Sequence, residues 1–151
     1  MALAPSRQIF QDNIKYALNE VTERGKLVCI VAGTTADGEV TALAVPTGTA
    51  VQVVGMLLDD VEDMNYDRHG EFRQRSVVDV GSQVGIAVKA DLETDQITGT
   101  TPVAGNDAYL AVSGLISADQ ADDGLGNLAP RVGWFQSGLN ANGFAAVHLD
   151  V

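Results

Sequence analysis

Positive charge is scarce in this chain: 9 lysines and arginines stand against 20 aspartates and glutamates among 151 residues, for a net charge of −11. Phosphate backbones and anionic lipid must be neutralised by cationic side chains to bind well, so this field argues against nucleic acid and against a membrane surface as partners. Histidine is scarcer still. His69 and His148 are too few for a zinc site built on several imidazoles, and the single cysteine, Cys29, cannot complete the set. One cysteine also excludes an internal disulfide, and its setting in "KLVCIVAG" reads as a buried thiol acting as a small hydrophobe. No stretch approaches the roughly 18 apolar residues of a membrane-spanning helix. "MALAPSRQIF" has no basic segment followed by an apolar block, so a soluble, unsecreted chain is expected. Aromatics make up 5% of the residues while hydrophobics make up 46%, which leaves the core to Val, Ala, Leu and Ile. Together with 16 glycines, that mix suits close-packed strands and turns.

The length fits one domain with one core. Residues 1–25 read as an N-terminal amphipathic helix or arm. In "SRQIFQDNIKYALNEVTERG", Ile9, Phe10, Ile14, Ala17, Leu18 and Val21 recur at steps of three and four, with Ser6 as N-cap and Gly25 as stop. The alternative for this segment is an extended arm ordered against a partner. Residues 26–151 read as a mainly β domain, a single sandwich or barrel-like unit, because short apolar runs alternate with Gly, Asp, Asn, Thr and Pro. The candidate strands are "KLVCIVAG", "EVTALAV", "VQVVGMLL", "EFRQRSVVDV", "QVGIAVKA", "DAYLAV", "RVGWFQ" and "FAAVHLDV". Asp37-Gly38 and Asn142-Gly143 mark two hairpins. The glycines of Val54-Gly55-Met56, Val84-Gly85-Ile86 and Val132-Gly133-Trp134 mark bulges or close backbone approach. "SADQADDGLGNLAP", residues 117–130, is the best loop candidate.

The densest run of reactive side chains is "DMNYDRHGEFRQ", residues 63–74, which opens like a calcium loop with Asp63, Asn65 and Asp67. Such a loop needs glycine at its sixth position and a bidentate Glu at its twelfth, and here Arg68 and Gln74 occupy those places. The acidic loop from Asp119 fails similarly: Asp123 and Gly124 are correctly spaced, but Ala121 replaces a ligand and Pro130 replaces the closing carboxylate. No G-x-S-x-G elbow, phosphate loop or dinucleotide fingerprint is present, and "GSQVG" has the wrong glycine spacing. His148 alternates with Val147 and Leu149, which points it outward or into an interface. Neither an enzyme nor a cofactor is expected.

The cations are unevenly placed. Three of the six arginines, Arg68, Arg73 and Arg75, lie within eight residues, just after the acidic run Asp59, Asp60, Glu62, Asp63. Arginine is favoured at protein interfaces because its planar fork binds carboxylates bidentately and is weakly hydrated. The residues read as interface candidates are therefore Ile9, Phe10, Ile14 and Tyr16 from the N-terminal segment, with Arg68, His69, Arg73 and Arg75. A solvated edge strand is the competing reading for the arginines.

The succession "VVGMLLDDVEDMNYDRHGEFRQRSVVDVGSQVGIAVKADLETD", "AGNDAYLAVSGLIS" and "PRVGWFQSGLNANGFAAVHLDV", from Val53 to Val151, resembles head decoration or capsid cement proteins of tailed bacteriophages. The resemblance implies a small β-rich virion protein without catalytic residues, dimeric or trimeric. It would be made in the host cytoplasm and sit on the outer capsid surface, joining neighbouring major capsid subunits against internal DNA pressure. Two other readings share the β-rich texture: a virion surface module recognising a host-cell molecule through residues 117–130, and a tail-tube or connector subunit.

Overall fold

The structure, a computed structural model, describes residues 8–60, 65–66, 72–73, 77–78, 80–81 and 83–151. Among them the chain is mainly β, with one 3-10 turn at Val112–Gly114. The strands in chain order are β1 (Gln8–Leu18), β2 (Thr22–Glu23), β3 (Leu27–Val31), β4 (Glu39–Val40), β5 (Val51–Asp60), β6 (Asn65–Tyr66) and β7 (Phe72–Arg73). They continue with β8 (Val77–Val78), β9 (Gln83–Thr94), β10 (Ile97–Thr98), β11 (Asp107–Leu110), β12 (Ile116–Ser117), β13 (Arg131–Phe135) and β14 (Ala145–Asp150). Ten of these strands form one sheet that curls into a half-barrel. The remaining four make two small pairs, β2 with β8 and β6 with β7.

β9 is the hub of the sheet. Along one edge it pairs antiparallel with β1, from Gln8 opposite Asp91 to Ala17 opposite Gln83. Along the other edge its first half pairs with β5, from Met56 opposite Ala87 to Asp60 opposite Val84. Its second half pairs with β14, from Ala145 opposite Thr94 to Asp150 opposite Lys89. The sheet therefore forks at β9. One branch runs through β5 to β3 and the other through β14, β13, β11 and β12 to β10.

Where sequence expected a helix, Gln8–Leu18 is a strand. Its backbone groups are satisfied by β9, more than sixty residues away, a pairing that local spacing cannot reveal. Three register irregularities, between Ile9 and Gln11, Gln11 and Asp12, and Asn13 and Tyr16, interrupt the ladder along β1. Ser6, the expected N-cap, lies outside the described residues.

Each expected strand of the β region contains an observed one, with two changes of extent. "EVTALAV" is a strand only at Glu39–Val40. Beyond it Thr41 still pairs with Cys29, while the Glu20 carboxylate accepts the Thr41 hydroxyl at 2.7 Å and the Ala42 N–H at 2.5 Å, so a side chain rather than a strand satisfies Ala42. Of "EFRQRSVVDV" the structure describes two pieces as strand, β7, which pairs with β6, and β8, which pairs with β2. The two-residue strands β2, β6, β10 and β12 are too short to show a period and were not among the candidate strands.

Two apolar clusters lie on opposite sides of β3, β5 and the first half of β9. Leu27, Cys29, Met56, Leu58 and Ala87 face the larger cluster, and Val28, Leu57, Val84 and Ile86 face the smaller one. The larger cluster continues under the second branch through Leu92, Leu110, Val132, Phe135, Val147 and Leu149. Both expected turns form, but only the second joins two paired strands: β3 and β4 pair with β5 and β1, and a single bridge links the arms of the first. Cys29 and Thr41 exchange both backbone hydrogen bonds across the first, above the turn Ala36–Glu39. In the second, Gly143 closes a turn begun at Asn140, whose carboxamide oxygen accepts the N–H groups of Asn142 and Phe144. A Cβ at Gly55 would collide with the Ala87 carbonyl and one at Gly133 with the His148 carbonyl, so both glycines mark close backbone approach.

Candidate functional site: the outer face of the C-terminal strands

The side chains of β14 alternate as their sequence demands. Ala145, Val147 and Leu149 are buried, while Ala146, His148 and Asp150 project from the other face. On β9, Ala90, Leu92 and Thr94 point inward, leaving Lys89, Asp91 and Glu93 outside. Register then sets Asp107, Trp134, His148 and Asp91 side by side across β11, β13, β14 and β9. Four strands thus contribute one residue each to a single row.

The row is tied together throughout. Trp134 and His148 stack with ring centroids 4.0 Å apart, and the Arg131 guanidinium lies 5.9 Å from the Trp134 ring centre. His148 Nδ1 is 2.6 Å from Asp91 Oδ1, which also accepts a 2.9 Å hydrogen bond from Gln136 Nε2. Arg131 Nε donates to Asp107 Oδ1 at 2.6 Å, and Lys89 lies 3.6 Å from Asp150. The His148 side chain is 14% exposed, whereas those of Lys89, Asp107, Arg131 and Asp150 are each about half exposed. An aromatic and imidazole centre is therefore framed by oppositely charged pairs. A histidine held by a carboxylate could serve as a base, but the Ser137 hydroxyl, on the loop after β13, is engaged elsewhere, accepting the Ala146 N–H and donating to the Gly138 carbonyl.

Sequence alternation correctly pointed His148 away from the core but did not join it to Trp134 or Asp91. The second hairpin was the available signal, and its register was the difficulty. A two-residue turn centred on Asn142-Gly143 would set Trp134 opposite Val151, whereas the longer observed turn sets it opposite His148.

Of the residues expected at an interface, Ile9, Phe10 and Ile14 lie on β1, and half-buried Tyr16 packs against the smaller cluster. Arg73 lies on β7 opposite Asn65. Arg68, His69 and Arg75 fall outside the described residues, as does most of the calcium-like run.

The acidic loop 117–130 is organised by its own carboxylates. Thr100, through its backbone N–H above all, holds the Asp119 carboxyl below the usual range. The Asn127 side-chain amide, followed by the Leu125 N–H, does the same for Asp123. Asp122 accepts the Gly124 N–H at 2.8 Å. Among the described residues no group of three or more His, Cys, Asp or Glu is placed to hold a metal ion. An open groove of about 470 Å³ lies between Glu20 and the 41–51 segment, with Leu43 and Val45 each about two thirds exposed on its wall. No helix among the described residues is long and apolar enough to cross a membrane. No protein-family model matches this chain, and no curated protein matches it.

Proposed function

We propose that this chain is a structural virion protein that binds the outer surface of an expanded phage capsid and cements neighbouring major capsid subunits. The observation that carries the reading is the ordered succession of phrases between Val53 and Val151 that resembles head decoration proteins. A sandwich or barrel-like β unit suits the task, since cementing needs a rigid body with a displayed surface rather than a reaction centre. The chain works as a homo-oligomer, dimer or trimer, on the virion exterior. Ile9, Phe10, Ile14, Tyr16, Arg68, His69, Arg73 and Arg75 supply adhesive contacts to the major capsid protein, without cofactor or nucleic acid.

A protein that binds an assembled lattice but not its free subunits stabilises the lattice by mass action. Several contacts per oligomer turn modest single affinities into firm attachment. An acidic exterior keeps the decorated particle soluble and away from free nucleic acid.

The test mixes purified protein with emptied, expanded capsids and with unexpanded precursor shells of its phage, and sediments both. Saturable binding to the expanded form alone is expected. Binding to neither form overturns the proposal. In the same assay, replacing Arg68, Arg73 and Arg75 together by serine is expected to weaken binding at least about tenfold, as loss of interfacial charge pairs does.

A further inference from the structure

We propose that the outer face of β11, β13, β14 and β9 is a self-association surface, and that its occupant is the same face of a second copy of this chain. The inference rests on the reading of the protein as a homo-oligomer and assigns the surface that makes it one. Charge is the first argument. Two copies at −11 each repel wherever acid meets acid. Among the lysines and arginines whose side chains the structure describes, the exposed ones are Lys89 and Arg131, and both stand on this face beside carboxylates. Opposite charges on this face offset part of that repulsion between copies.

The layout is self-complementary as well as mixed in sign. β13 and β14 are adjacent at the middle of the four strands, with Trp134 opposite His148 and with Arg131 near the Asp150 end of β14. A two-fold axis lying in the interface plane between these strands exchanges them. It sets Trp134 against the partner's His148 and Arg131 against the partner's Asp150, and the contact repeats itself by symmetry. Tryptophan and arginine are the side chains that dominate binding energy at interface centres. This chain holds a single Trp and places it on an open sheet face rather than in a core. His148 stacking and the Arg131 guanidinium already fix that ring, so little side-chain freedom is lost on contact.

Size sets the expected strength. Four strands about 4.8 Å apart and about five residues long present roughly 300 Å². A standard interface covers about 800 Å² on each partner, so this face alone gives a weak, concentration-dependent dimer.

Sedimentation equilibrium of the full chain over a concentration series, with no capsid present, tests the inference. Arg131→Asp and Asp150→Arg, each alone, are expected to raise the dissociation constant at least about tenfold by setting like charges against each other. The Arg131→Asp/Asp150→Arg double variant is expected to return it toward the starting value. Trp134→Ala, a third variant, weakens association without touching charge. Thermal melts confirm that each variant folds. A chain that stays monomeric throughout overturns both the inference and the oligomeric part of the functional reading. An oligomer indifferent to the swaps, or single swaps that weaken without restoration in the double variant, overturns the surface alone. Capsid binding is scored separately, so cementing can fail or stand independently.

Discussion

β5 and β14 belong to the same sheet and both pair with β9, yet they are built differently. β5 is buried on both sides, with Met56 and Leu58 toward one apolar cluster and Leu57 toward the other. β14 buries Val147 and Leu149 and leaves His148 and Asp150 outside. The sequence carries the contrast openly, as a continuous run in "VVGMLL" and strict alternation in "AAVHLD". A run signals two covered faces, and alternation signals one. One branch of the sheet anchors the fold, and the other offers a polar, aromatic surface while contributing its inner face to the core.

The largest effects should come from removing volume in either branch. Leu57→Ala and Leu149→Ala each empty a fully buried site and are expected to cost about 2–5 kcal/mol in chemical denaturation. A Leu149→Ala protein of unchanged stability would break the view that the inner face of the second branch is packed as tightly as the first. Gly133→Ala drives a methyl group into the His148 carbonyl. It should destabilise by about 1–3 kcal/mol, the usual range for overpacking, with loss of the Trp134 and His148 stack in the near-ultraviolet circular dichroism.

Cys29 probes the anchoring branch by pH. Burial pushes its thiol from 9.0 up to about 12, so the folded state keeps its proton where the unfolded chain has lost it. A raised folded-state value means that this contribution is complete below about pH 9 and falls away as pH rises from there toward 12. A Cys29→Ala variant should show a flatter loss of stability over that window, and a thiol reagent at neutral pH should label the native wild type slowly.

The outer face should matter less to stability than either core. Asp91→Asn removes the charge that holds His148 and weakens one partly exposed network, at a cost of about 0.5–1.5 kcal/mol. Lys89→Ala breaks an exposed pair and should cost no more than about 1 kcal/mol by thermal melt. Larger losses there would mean that the face serves folding rather than contact.

Much of this division was legible before any coordinates. The β-rich texture, the longer strands from Leu27 onward, the turns at Asp37-Gly38 and Asn142-Gly143 and the tight glycines at Gly55 and Gly133 follow from local chemistry that the fold did not override. The N-terminal strand was not legible, because its ladder against β9 is irregular and that partner lies far along the chain. The row of Asp107, Trp134, His148 and Asp91 was half legible. Alternation gave the face of His148, but bringing four strands into register required knowing the turn at Asn140 and the fork at β9.

Amide hydrogen exchange, followed residue by residue on the free chain, tests the division between branches most directly. Opening free energies are highest where the backbone is covered on both faces. The slowest amides are therefore predicted in β5 and the first half of β9, with β13 and β14 exchanging faster. Slowest exchange in β13 and β14, with β5 opening first, would contradict the assignment of anchor and surface.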